Sequence, residues 1–155
     1  KEKYIEELFE KTGVLSPVEL KSRFEVYAEQ YVLSIEVEAK LVIDMAKTAI
    51  YPAAMRHLAD IAATVAGLEE MGINLNQDNI KLVAELTNSL TTKVSKLASA
   101  LAKEDFSTIE KHMKYSSSTL RSLMDDVRAD VDALEAEVAD DLWPLPTYQE
   151  MLFIK

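Results

Sequence analysis

The sequence predicts an all-α fold: an antiparallel bundle of long helices with a proline-containing central helix and an extended C-terminal tail. Three observations point there. Only three glycines occur in 155 residues, Gly13, Gly67 and Gly72, too few for the turns that strands need. Alanine, leucine, glutamate and lysine dominate, and these are good helix formers. Apolar residues also recur at alternating spacings of three and four over much of the chain.

Residues 1–11 read as a helix with Tyr4, Ile5, Leu8 and Phe9 on one face. Gly13 ends it as a left-handed cap. Ser16-Pro17-Val18-Glu19 marks the next start, with a capping hydroxyl, a proline suited to the first helical position and a glutamate that completes a capping box. From Tyr31 to Ile50 the following helix is apolar over a wide arc, which places it centrally in its bundle. Pro52 falls inside the pattern. Its ring and missing N–H predict a kink or a break there. Helical spacing resumes with Met55, Leu58, Ala62, Val65 and Leu68 and stops between Gly67 and Gly72.

Asn74 to Asp78 form a turn rich in N-caps. A regular seam follows: Ile80, Val83, Thr87, Leu90, Val94, Leu97 and Leu101. After a junction at Lys103-Glu104-Asp105 the last helix carries Ile109, Met113, Leu120, Leu123, Val127, Val131, Leu134 and Val138. Ser116, Ser117 and Ser118 interrupt that seam, which predicts a close helix approach or a local bend. Pro144 ends the helix. The whole, 1–155, reads as one domain, with 142–155 non-helical or irregular. A chain this long buries roughly 70% of its unfolded surface, enough for a core without metal or disulfide.

The formal net charge is −10. That weighs against a nucleic-acid partner, whose footprint is a clustered basic patch. No apolar run approaches the roughly 18 residues of a membrane span. Cysteine is absent, which removes thiol nucleophiles and thiolate ligands and suits a cytoplasmic protein. The first residue is Lys1, as expected for a piece of a longer protein.

Catalytic signals are weak. A di-iron bundle needs Glu-x-x-His pairs facing inward, but Ala54 precedes His57 by three and Ile109 precedes His112 by three. Both histidines therefore read as surface or edge residues. No glycine-rich phosphate loop and no Gly-x-Ser-x-Gly elbow is present. Asp44 lies among apolar neighbours where burial would raise its pKa, but Lys40 and Lys47 one turn away are ready partners. Glu36 and Glu38 mark a narrow polar stripe. The acidic run Glu135, Glu137, Asp140 and Asp141 reads as a solvated face. No catalytic, cofactor-binding or metal residue is assigned.

The tail is the least bland feature. Two prolines, Pro144 and Pro146, forbid a helix there and favour an extended segment. Leu142, Trp143, Leu145, Tyr148, Met151, Leu152 and Phe153 make it strongly apolar. An end of that composition either folds back on its own bundle or inserts into another surface. The candidate docking residues are Leu142, Trp143, Pro144, Leu145, Pro146, Tyr148, Leu152 and Phe153.

Leu142-Trp143-Pro144-Leu145-Pro146-Thr147-Tyr148, followed by Met151-Leu152-Phe153, resembles the extreme C-terminus of type III glutamine synthetases. Ser22-Arg23-Phe24-Glu25-Val26-Tyr27, continuing through Tyr31, Ile35-Glu36, Met45-Ala46 and Ile50-Tyr51-Pro52-Ala53, is similar to the start of that family's C-terminal helical region. The resemblance implies a parent enzyme that joins glutamate and ammonia using ATP and a divalent metal, Mg or Mn. It places the active site in a catalytic domain upstream, so no cofactor is expected in this segment. The implied partners are that catalytic domain and neighbouring subunits of a stacked-ring homo-oligomer. The implied role is structural. The rival reading is a stand-alone sensor or scaffold bundle.

Overall fold

The computed structural model describes residues 2–146 and 148–152. All regular elements among the described residues are helical. Helix α1 spans Glu2–Lys11, α2 Pro17–Met45, α3 Tyr51–Glu70, α4 Asp78–Leu101, α5 Ile109–Tyr115, α6 Arg121–Glu137 and α7 Tyr148–Leu152. A π-turn at Ala46–Ile50 joins α2 to α3, and another at Ser116–Leu120 joins α5 to α6. Three rods result: α2–α3, α4, and α5–α6.

The punctuation follows local chemistry. Ser16 and Glu19 form the expected capping box at the head of α2, with the Ser16 N–H donating to the Glu19 carboxylate at 2.8 Å. That backbone hydrogen bond, followed by the one from the Ser16 hydroxyl, holds Glu19 below its ordinary pKa of 4.5. A depressed folded-state pKa stabilises above the ordinary value, and the contribution is lost as pH falls through the folded-state value. Acid melts of Glu19→Gln are therefore expected to be less pH-sensitive below about pH 4.5 than those of the parent chain. Parallel curves would contradict this. Helices α1 and α3 both end in Schellman geometry: Val14 N–H reaches Phe9 O and Ile73 N–H reaches Leu68 O. The intervening Gly13 and Gly72 have φ of +67° and +78°, a region where a Cβ is strained.

Pro52 does not break the rod. The π-turn stretches one hydrogen bond so that Tyr51 N–H reaches Ala46 O, and the α register restarts at Tyr51. Pro52 then stands in the first turn of α3, directly after the π-turn, so the disturbance a proline makes in a continuous helix is taken up there. The serine cluster behaves alike. Ser116 is fully buried and Arg121 N–H reaches back to Ser116 O. Each π-turn begins with a small buried residue, Ala46 or Ser116, and ends with a large one, Ile50 or Leu120. Small size at the first position lets a neighbouring rod approach.

Side-chain ties fix the directions. Asn79 donates to Glu137 at 2.7 Å, and the Tyr115 hydroxyl donates to Ala100 O at 3.0 Å. The start of α4 thus meets the end of α6, and the end of α4 meets the end of α5, so the two rods are antiparallel. Glu36 meets His112 at 3.1 Å and His57 faces Ala139 at 3.5 Å, so rods α2–α3 and α5–α6 run parallel.

The core lies between the rods. Ile35, Ala39, Ile50 and Ala54 face Val83, Leu90, Val94 and Leu97 from α4 and Leu120, Val127 and Leu134 from the third rod. Each fully buried leucine contributes roughly 1.5–3 kcal/mol. The seam expected along α4 is buried at Val83, Thr87, Leu90, Val94 and Leu97.

The rods differ in length. Pro17 to Glu70 runs without a break, roughly 80 Å at 1.5 Å per residue, while α4 spans roughly 36 Å. The first part of α2, Pro17 to Val32, forms an arm whose Leu20, Lys21, Phe24 and Glu25 line a pocket with Glu110 at the start of α5. Helix α1 packs on this arm.

Candidate docking surface

The structure divides the apolar tail. A 3-10 turn at Asp140–Leu142 follows α6, with Trp143 N–H donating to Ala139 O at 3.1 Å. Trp143 is 8% exposed and joins the core, and Leu142 and Leu145 pack partly buried against it. Pro144 and Pro146 are exposed. The expectation of a non-helical 142–155 holds only in part, because Tyr148–Leu152 turn into a short helix. Proline blocks helix before and up to Pro146 but not after it. Met151 and Leu152 are exposed. The Tyr148 side chain and all of Phe153 lie outside the described residues. Between the tail, α2 and α6 is a groove of about 560 Å³, lined by Leu41, Met45, Met124, Trp143 and Met151 among others.

The titratable residues do not build a reaction centre. Asp44 is exposed and not buried among its apolar neighbours. Its neighbours on α2 turn inward while it faces water. His112 is an edge residue with a structural setting. Its Nε2 meets the Glu36 carboxylate, and Phe106 stacks on its ring with centroids 4.1 Å apart. His57 is half-buried, with Nδ1 towards the Ala139 N–H. Among the described residues no three acidic or histidine side chains converge to hold a metal. No described helix is long and apolar enough to cross a membrane.

Sequence reasoning missed two features. Lys93 Nζ lies 2.6 Å from Asp130 Oδ1 across α4 and α6, with the Asp130 side chain only 9% exposed. A contact between residues so far apart in sequence leaves no periodic signal. The second is that the wide apolar arc of α2 is only half used. Helix α2 does touch α1, α4, α5 and α6, burying Ala28, Val32, Ile35 and Ala39. Its opposite side leaves Val26, Leu33, Val37 and Leu41 exposed. The arc itself was the available signal.

Fold and surface together define an α-helical bundle with an exposed apolar face on α2. Residues 1–69 match the glutamine synthetase C-terminal domain. The type-3 glutamine synthetase of Dictyostelium discoideum is 32% identical over 157 aligned positions, covering 96% of this chain and 21% of that protein. A glutamine synthetase of Bacteroides fragilis is 28% identical, covering 92% of this chain and 21% of its own length. One from Butyrivibrio fibrisolvens is 26% identical, covering 95% and 22%. The first 69 residues carry that domain's signature, and the similarity to glutamine synthetases runs on over nearly the whole chain. The chain spans about a fifth of the length of the curated relatives it matches.

Proposed function

We propose that the chain is the non-catalytic C-terminal helical domain of a type III glutamine synthetase, with a structural role in holding the catalytic domain and neighbouring subunits of a cytoplasmic homo-oligomer. The parent enzyme makes glutamine from glutamate, ammonia and ATP with Mg or Mn, and that chemistry belongs to the catalytic domain. The reading rests above all on coverage: nearly all of this chain aligns with enzymes about five times its length. A bundle that leaves many large apolar side chains in water supports a role in contact rather than chemistry.

The test is glutamine formation, read as γ-glutamyl hydroxamate from glutamate, hydroxylamine and ATP. The full polypeptide is expected to be active and residues 1–155 to stay at background. An active 1–155 chain sinks the structural reading. The tail belongs to the same proposal as a docking element, with the exposed Pro144, Pro146 and Leu152 as its contacts, Trp143 anchoring their base, and the Tyr148 side chain and Phe153 as further candidates outside the described residues. Deleting the residues after Asp141 in the full polypeptide is expected to weaken assembly, seen as a smaller or broader species in sedimentation velocity. An unchanged sedimentation profile and melting temperature would count against it.

A further inference from the structure

The unpartnered side of α2 has a regular build. Val26, Leu33, Val37 and Leu41 are spaced by seven, four and four, which sets them on one helix face. They are 58, 57, 54 and 55% exposed. They stand opposite Ala28, Val32, Ile35 and Ala39, which are buried. Phe24, Tyr27 and Tyr31, also exposed, flank the same arm.

The exposure is one-sided along the chain. Most of the large apolar side chains left in water occur before residue 56, on α1, α2 and the start of α3. On α4 only Leu82 is so exposed. Contiguous apolar patches beyond a few hundred Å² are rare on surfaces that stay in water. A face this regular is built for a partner.

We propose that the Val26–Leu33–Val37–Leu41 face of α2 is the seat of the polypeptide that precedes Lys1, the catalytic body of the same chain. The inference rests on the function proposed above and adds the surface and its occupant. Three observations favour this occupant. About four-fifths of each relative's length lies outside the aligned part, and the matching family is a C-terminal one, so the missing mass is upstream. The chain enters the bundle through α1, which packs on the same arm, so the preceding body is tethered beside this face at high effective concentration. A second copy of the bundle is disfavoured because each copy carries a net charge of −10, and like charges repel.

The test uses the full polypeptide with the photoreactive residue p-benzoylphenylalanine replacing Val37. Irradiation is expected to give a cross-linked product of single-chain mass, with peptides mapping before Lys1. A product of twice that mass would overturn the inference in favour of a second copy, and so would the absence of any protein cross-link. The paired variant V37D/L41D, which alters only exposed positions, is expected to lower glutamine formation at least tenfold or to lower the melting temperature of the full polypeptide. Parent-like values in both readouts would overturn the inference. Failure of the underlying function shows separately, as an unsubstituted full polypeptide that forms no glutamine.

Discussion

Trp143→Ala is expected to destabilise the bundle by about 3–5 kcal/mol, the range for removing a large buried aromatic. The indole is 8% exposed and packs with Val138, Val127 and Ile50 in one core. It closes the end of the rods where α6 has stopped. Its removal opens a cavity that the chain cannot easily collapse, because Pro144 stiffens the next residue. The Nε1 atom has no hydrogen-bond partner among the described residues, and an unpaired buried donor costs about 1–3 kcal/mol. Trp143→Phe keeps a ring and removes that donor. Its expected cost is therefore far smaller, about 1 kcal/mol. Urea unfolding of the 155-residue chain measures both. Equal losses for alanine and phenylalanine would mean that the indole does not fill the core as described.

Lys93→Ala is the second large effect. It leaves Asp130 with a buried carboxylate and no cation at 2.6 Å, and Asp130 Oδ2 is already buried without a partner among the described residues. Breaking a fully buried pair costs about 3–5 kcal/mol. The Lys93 side chain is 29% exposed, so solvent screens part of the interaction and about 2 kcal/mol is expected. Asp130→Ala should cost less, because the lysine ammonium can swing to water along its flexible stem. Replacing both at once, Lys93→Met with Asp130→Leu, should come out near neutral. The double-mutant cycle in urea checks the order. A single Lys93→Ala loss below about 0.5 kcal/mol would place the pair among ordinary surface salt bridges.

Local chemistry was the legible part. Ser16 with Glu19, and Gly13 and Gly72 at positive φ, act within one helical turn, so their sequence neighbourhood specifies them. The α4 seam is legible because its period repeats from Val83 to Leu97. Pro52 was read correctly as a disturbance, but the outcome depends on how the backbone upstream can yield. Ala46 and its neighbours yield by a π-turn instead of a break. The Lys93–Asp130 pair depends on the register between two rods, which no single helix encodes. The apolar arc of α2 was legible as surface that must be covered. What covers it was not, because Val26, Leu33, Val37 and Leu41 are left more than half exposed by the rods of this chain. The tail shows the reverse. Its composition signals docking, yet Trp143 and Leu145 meet the bundle's own core.

The central claim is that this bundle holds an enzyme together and does none of its chemistry. Sedimentation velocity and glutamine formation, measured on the full polypeptide with and without residues 1–155, test it most directly. The account predicts that removal lowers the assembled mass or its thermal stability, and that the separated 1–155 chain forms no glutamine. Unchanged mass, melting and activity after removal would contradict it, as would glutamine formed by the 1–155 chain.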